Sequence, residues 1–169
     1  MSSRDLSAAT GIANRVHVDF PEDVAVFEER LRLYPQGCWV LGQGSDIAGY
    51  LVSHPWRLGA PPELNSQLGE LPAAASTYYV HDLTLLPGAR GGGAASAVVR
   101  QILTHAVERG FATASLVAVN GSAPFWQAHG FRIVDDDVEM RRKLASYGDE
   151  AHFMVRSSTA RDSDGAKRS

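Results

Sequence analysis

Two adjacent polar residues in an apolar strand, followed by a glycine loop, are the part of this sequence best suited to chemistry. Residues 78–86 read YYVHDLTLL, and His81 and Asp82 stand where a strand crossing a core would rather hold valine or leucine. Imidazole titrates near neutrality, so His81 is a candidate proton acceptor. Asp82 is a candidate base or a partner for a cationic amine. Strict strand alternation predicts that the two side chains leave on opposite faces, one serving a reacting group and the other tying down a neighbouring loop. After Pro87 the chain runs Gly88-Ala89-Arg90-Gly91-Gly92-Gly93. From Ala94 on, Ala95, Val99, Ile102, Leu103 and Ala106 recur at the three- and four-residue spacing of one buried helix face. Strand, glycine loop and helix N-terminus present unpaired backbone N–H groups, and with the Arg90 guanidinium they suit a ligand bearing phosphate. Glycine serves such a loop because it adopts positive φ and lets a ligand approach the backbone.

The surrounding pattern alternates helices and strands. Residues 1–11 are small and polar and are expected to fray. Pro21-Glu22-Asp23 starts a helix with Val24, Phe27, Leu31 and Tyr34 predicted inward, and Pro35-Gln36-Gly37 ends it. Strands are predicted over 38–42 and 47–53, joined at a Gly44-Ser45-Asp46 hairpin turn. Residues 54–77 form a long connection rich in proline, alanine and glycine, and loops of that length are commonly functional. A strand over 111–119 closes a strand–helix–strand passage, which implies a right-handed crossover and neighbouring parallel strands. Asn120-Gly121-Ser122 turns the chain into a short helix ending at Gly130, with Ser122 as a candidate N-cap ahead of Pro124. Further strands are expected over 131–134 and 152–156, with an acidic turn at Asp135-Asp136-Asp137. One domain over 12–156 and a disordered tail over 157–169 complete the expectation.

Composition narrows the partners. The chain has 169 residues, 44% hydrophobic and 21% charged, with a formal net charge of -3. That balance, with no lysine or arginine stripe interleaved with aromatics, gives no reason to expect a nucleic acid. Cys38 is the single cysteine, so no intrachain disulfide forms, and a cytoplasmic location is the expectation. No apolar run approaches the ~20 residues of a membrane span, and residues 1–11 lack the apolar core of a secretory signal. No metal and no membrane partner are expected.

Three phosphate motifs compete for the loop. A P-loop needs Gly-Lys-Ser/Thr, but Gly93 is followed by Ala94-Ala95. A dinucleotide fingerprint needs a carboxylate about twenty residues on at a strand tip, and Glu108 falls at a helix end instead. The pattern Arg/Gln-x-x-Gly-x-Gly/Ala is met by Arg90, Gly93 and Ala95. Together with Asn120 and FWQAHGF at 125–131, it resembles the GCN5-related N-acetyltransferase (GNAT) family. The resemblance spans roughly residues 17–156 and is strongest over 78–131.

The resemblance implies an α/β (α+β) acyl-CoA N-acyltransferase fold, a mixed and strongly twisted central sheet flanked by helices, and acetyl-coenzyme A as co-substrate. It implies that the backbone from Arg90 through Gly91, Gly92, Gly93 and Ala94 to Ala95 holds the pyrophosphate. The strand edge at Leu83 and Leu85 would pair with the pantetheine arm. Asn120 and the last helix, with Ser122, Phe125 and Trp126, would flank the sulfur. Strands 78–86 and 111–119 are expected to splay so that their amides meet the ligand. Two features depart from the family. A strand and a helix usually precede the segment at 21–34, whereas here residues 12–20 suggest only the tail of that helix; the fold is then shortened, or a second subunit covers the exposed edge in a homodimer. Many members also carry a tyrosine where this chain has Trp126, and indole cannot protonate a leaving thiolate.

Direct transfer to an amine requires a base, hydrogen-bond donors for the thioester oxygen and a proton for the thiolate. Beside His81 and Asp82, Ser122 is a weaker candidate at the sulfur, since capping alone explains it. His54, Trp56, Tyr78 and Tyr79 are candidates for the acceptor wall, together with the 54–77 loop. Cys38 lacks a base partner and reads as core; His129 reads as a helix C-terminal residue favoured by the dipole. The expected function is acetyl transfer to a primary amine, preferably small and cationic, with a peptide N-terminus or a protein lysine still open as acceptor and the acyl chain length left open. The alternative is a catalytically weak or inactive acyl-coenzyme A binding module acting as a regulator.

Overall fold

The computed structural model describes residues 1–43, 46–134, 138–148 and 150–158. The turn at Gly44-Ser45, the acidic run 135–137 and the tail from 159 lie outside the described residues.

The N-terminal segment is helical where fraying was expected. Ser2 and Asp5 form a capping box around a single 3-10 turn, and α1 (Leu6–Val16) follows at once. Ala9, Ile12 and Ala13 fall on one face and are buried against Phe27, Cys38, Tyr50 and Val52. That burial holds a helix that short side chains alone would not. The helix missing from the family pattern is therefore present as α1, and no strand precedes it among the described residues.

In α2 (Val24–Leu33), Phe27 points inward as predicted, but Val24 is 43% exposed, and Val26 and Arg30 occupy the buried positions. A charged residue at an inward position disguises the apolar stripe. Arg30 is tolerated there because its Nη1 pairs with Glu29 and its Nη2 donates to the Ser66 carbonyl at 2.8 Å. Glu29 in turn accepts the N–H groups of Leu68 and Gly69 at 2.7 and 2.9 Å. The long connection is thus tied to α2 by its backbone.

β1 (Cys38–Gln43), β2 (Asp46–Trp56), β3 (Thr77–Leu85), β4 (Thr113–Ala118), β5 (Arg132–Ile133) and β6 (His152–Ser157) form one six-stranded sheet in the order β1-β2-β3-β4-β6-β5. Only β3 and β4 run parallel, linked through α3 (Ala94–Glu108). β2 continues to Trp56, so His54 and Trp56 belong to a strand and the loop begins at Arg57. α3 and α4 (Ala123–Ala128) cover one face through Val99, Ile102, Leu103, Trp126 and Phe131. α1 and α2 cover the other. α5 (Val138–Leu144), in a stretch where the sequence suggested no element, packs Met140 and Leu144 on Tyr79 and Phe153. No helix among the described residues is long and apolar enough to cross a membrane.

Two irregularities in β3 prepare the site. Its pairing with β4 covers only Tyr78–Ala114, Tyr79–Ser115 and Val80–Leu116, after which the strands part. On its other side, Val52 pairs with Asp82 but Ser53 pairs with Val80, so His81 is an extra residue in a β-bulge. The bulge resets the alternation. Both His81 and Asp82 consequently face the α1–α2 connection, where His81 meets Glu22 and Asp82 meets His17. The opposite-face expectation fails here because it assumes an unbroken period of two.

Candidate active site

Where β3 and β4 part, they leave a cleft of about 560 Å³. Leu83 and Leu85 line one wall, Val117 and Val119 the other. At its mouth, Gly91 and Gly93 have φ of 84° and 78°, and a Cβ added at Gly91, Gly92 or Gly93 would meet nothing within 4 Å. Gly93 is the N-cap of α3 and offers no side chain, so the helix's first N–H groups, at residues 94–96, have no acceptor within the helix. Arg90 anchors its Nε on the Leu85 carbonyl at 3.0 Å and lines the cleft, as does Ala95. An open backbone cradle beside a guanidinium suits an anionic phosphate.

At the far end, β4 stops at Ala118 and Asn120 adopts φ 53°. Its amide, Ser122, Phe125 and Trp126 line the cleft. Ser122 occupies the N-cap position of α4, yet its hydroxyl makes no capping bond. Trp126 is nearly buried against Phe125 and Phe131.

Four titratable side chains meet on the third wall as two imidazole–carboxylate pairs. His81 Nε2 lies 3.0 Å from Glu22 Oε2, and its Nδ1 is buried without a partner among the described residues. Burial pushes the Glu22 carboxyl up, but the charge and hydrogen bond of His81 outweigh it and hold Glu22 below its ordinary value. In the second pair, Tyr50 donates to one oxygen of Asp82 and Thr84 donates to the other at 3.0 Å. His17 Nε2 lies 2.7 Å from Thr84 Oγ1 and 3.3 Å from Asp82 Oδ1. Because the Thr84 proton is committed to Asp82, His17 donates through Nε2, and its Nδ1 is left 3.3 Å from the Asn120 side-chain nitrogen. The hydrogen bond to Asp82 lifts His17 above the usual imidazole value despite burial. Burial pushes Asp82 up as well, but the hydrogen bonds and charge around it reverse this and keep it ionised below the usual carboxylate range. Tyr50 is pushed far up by burial and by the adjacent carboxylate, and so keeps its proton.

Other expectations are corrected by burial. His54, Tyr78 and Tyr79, expected on the acceptor wall, are at most 1% exposed and do not line the cleft. β2 and β3 pair side by side there, and helices cover both faces. His54 donates from Nδ1 to the Pro55 carbonyl, and burial depresses its pKa to about 3. Tyr78 bonds Ser53, and Trp56 gives its N–H to the Ala60 carbonyl outside the cleft. Of the long connection, Leu64 lines the cleft. Burial raises the Cys38 thiol to about 11, which makes it an inert core group. His129 contacts Ser96 across the α3–α4 junction at 3.1 Å.

Sequence reasoning passed over His17, Asp19, Glu22 and Thr84, all of which line the cleft. A signal was available. HVDFPED packs four titratable residues between two helices, around Val18, which is left 74% exposed.

No curated protein is a significant sequence match. Among solved structures, Ard1 from Thermoplasma volcanium is similar at 15% identity and a TM-score of 0.69, over 94% of this chain and 95% of its own. Naa20 from Chaetomium thermophilum, in complex with a bisubstrate analogue, is similar at 16% identity and a TM-score of 0.67, over 97% and 87%. The GNAT-like decarboxylase GphF, in complex with isobutyryl-CoA, reaches a TM-score of 0.71 at 17% identity, over 93% and 96%. At such identities these likenesses establish the fold, the mixed sheet with a cleft between parting parallel strands. The profile of the Acetyltransferase (GNAT) family matches residues 8–131, from within α1 to the residue before β5, and this chain therefore belongs to that family of N-acetyltransferases.

Proposed function

We propose that the chain transfers an acetyl group from acetyl-coenzyme A to the primary amine of a small cationic acceptor, with the Glu22–His81 pair as base. One observation carries the reading: His81 lines the cleft with Nε2 held by a carboxylate and Nδ1 buried without a partner among the described residues. An unmet polar atom of this kind is costly in a protein interior unless a ligand or water supplies its partner.

The residues present fit acetyl-coenzyme A. Residues 90–95 offer the open cradle for its pyrophosphate, and past Val80 the β4-facing amides of β3 have no strand partner. When bound, the co-substrate supplies the acyl group already activated as a thioester. Asp19, Glu22 and Asp82 line the same cleft, with Arg90 as the fixed cation beside the phosphate cradle. That asymmetry supports a cationic acceptor at the end remote from Arg90. Glu22 would hold the ammonium, and His81 would take its proton and release it to solvent. A binding module without activity would have no use for two imidazole–carboxylate pairs on the wall of one cleft.

Calorimetric titration with acetyl-coenzyme A tests the cradle first. Gly93→Asp should abolish binding, because its carboxylate would enter the anion site. An amine panel scored by thiol release then tests the acceptor. His81→Ala should lower kcat by about 100-fold or more while acetyl-coenzyme A still binds. A folded wild-type protein that binds no coenzyme A overturns the reading.

A further inference from the structure

We propose that His17 is the general acid of this enzyme, delivering a proton from Nδ1 to the departing thiolate beside Asn120. The proposal rests on the acetyl-transfer reading above and assigns a role that Trp126 cannot fill.

The geometry is specific. His17 lies on the α1–α2 connection, and the cleft brings it against β3 from across 65 residues of sequence. Its Nε2 is fixed by Thr84 and Asp82, and Asp82 is itself fixed by Tyr50 and Thr84. The ring therefore cannot turn without breaking this partly buried network. Fixing Nε2 aims Nδ1 at Asn120, which lines the cleft with Ser122 and Phe125. The two ends of the Asn120 amide fill nearly the same space, and half a turn presents Oδ1 to a protonated Nδ1. Beside Asn120 in the chain, the Ser122 hydroxyl and the Trp126 indole also line the cleft and neither is acidic at neutral pH, while Tyr147, the lining phenol, commits its proton to the Pro62 carbonyl at 2.8 Å. An imidazolium backed by a carboxylate is acidic enough to protonate a thiolate whose conjugate acid has a pKa of about 8.5.

The two pairs then divide the proton traffic. The acceptor enters as an ammonium and loses one proton to His81. As the new C–N bond forms, the C–S bond breaks with its electron pair on sulfur, and the His17 Nδ1 proton goes to that sulfur. The second nitrogen proton reprotonates His17. One ammonium and one thioester become one amide, one thiol and one released proton.

The groups that set His17 come from several elements: Asp82 and Thr84 on β3, Glu22 and Asp19 on its own connection, Arg90 in the phosphate loop, and Tyr50 on β2 through Asp82. The decisive variant is His17→Gln. Coenzyme A affinity, by calorimetry, should change less than about threefold, while kcat falls by about 100-fold and its alkaline limb disappears. A second readout needs no turnover. In the complex with free coenzyme A, thiolate absorbance in the ultraviolet should titrate about one pH unit higher in H17Q than in wild type, because the neighbouring cation is gone. Intact binding with an unchanged thiol titration overturns the assignment of His17 alone. Absence of coenzyme A binding in wild type overturns the acetyl-transfer reading and this proposal together. Should H17Q not fold, nitrogen-15 spectra of wild-type histidines decide the matter. A His17 Nδ1 resonance that moves when coenzyme A binds supports the role, and one that does not move overturns it.

Discussion

Acid should unfold this protein through one buried imidazole. His54 is fully buried between β2 and β3, with Nδ1 on the Pro55 carbonyl and rings of Trp56 and Tyr79 within 5.6 Å of its own. Burial depresses its pKa from 6.5 to about 3. The folded state therefore refuses a proton that the unfolded chain accepts below pH 6.5. The stability this neutral ring allows is complete above that value. It is lost progressively as pH falls towards about 3, by about 1.4 kcal/mol per unit. Between about pH 7.5 and about pH 4.5 the loss amounts to about 3 kcal/mol, a large part of a typical domain's total. Urea denaturation followed by tryptophan fluorescence measures it, with His54→Phe as the control that cannot titrate. Wild type should lose about 3 kcal/mol more than H54F across that window, since every other titrating group is common to both. Parallel losses would refute the argument, for they would mean that His54 reaches water in the folded state, as an acceptor-wall residue would.

Two further outcomes follow from the buried pairs. Glu29→Ala leaves the Arg30 guanidinium buried without its counter-charge and frees the backbone of Leu68 and Gly69; it should cost about 3–5 kcal/mol by denaturant titration. Glu29→Leu combined with Arg30→Met should recover the part of that loss due to the unpaired charge, but not the part due to the freed backbone groups of Leu68 and Gly69. Asp82→Asn removes the partner that lifts His17, so the His17 titration seen by nuclear magnetic resonance should move down towards 6.5. A His17 titration unchanged in D82N would show that the pair is not the source of the shift.

Much of the fold from β3 onward is legible in order, because its signals are local. The strand stopping at Pro87, the glycine loop and the period of α3 each depend on residues within a turn or two of one another. The edges of α3 are marked by Gly93 and by the 110 turn, where positive φ favours glycine. The N-terminal third reads less well. α1 is built from alanines and one isoleucine whose value lies in fitting under Phe27 and Tyr50, which composition does not reveal. The inward face of α2 contains Arg30, whose counter-charge is its neighbour Glu29 and whose other anchor is the Ser66 carbonyl.

For the site, the sequence by itself pointed to an anion cradle at the glycine loop and to the unusual polarity of His81 and Asp82, both from what a residue type can do in its own segment. The strand edge at Leu83 and Leu85 and the place of Asn120 came only with the family resemblance. Tertiary structure alone decided how the polar pair is used. One extra residue at His81 brings both side chains to the same wall, and the pairing register, not the residues of β3, places that bulge. Glu22 and His17 then arrive from 59 and 65 residues away. Sequence periodicity records which face of an element is buried, and it holds no record of which distant loop folds over that face.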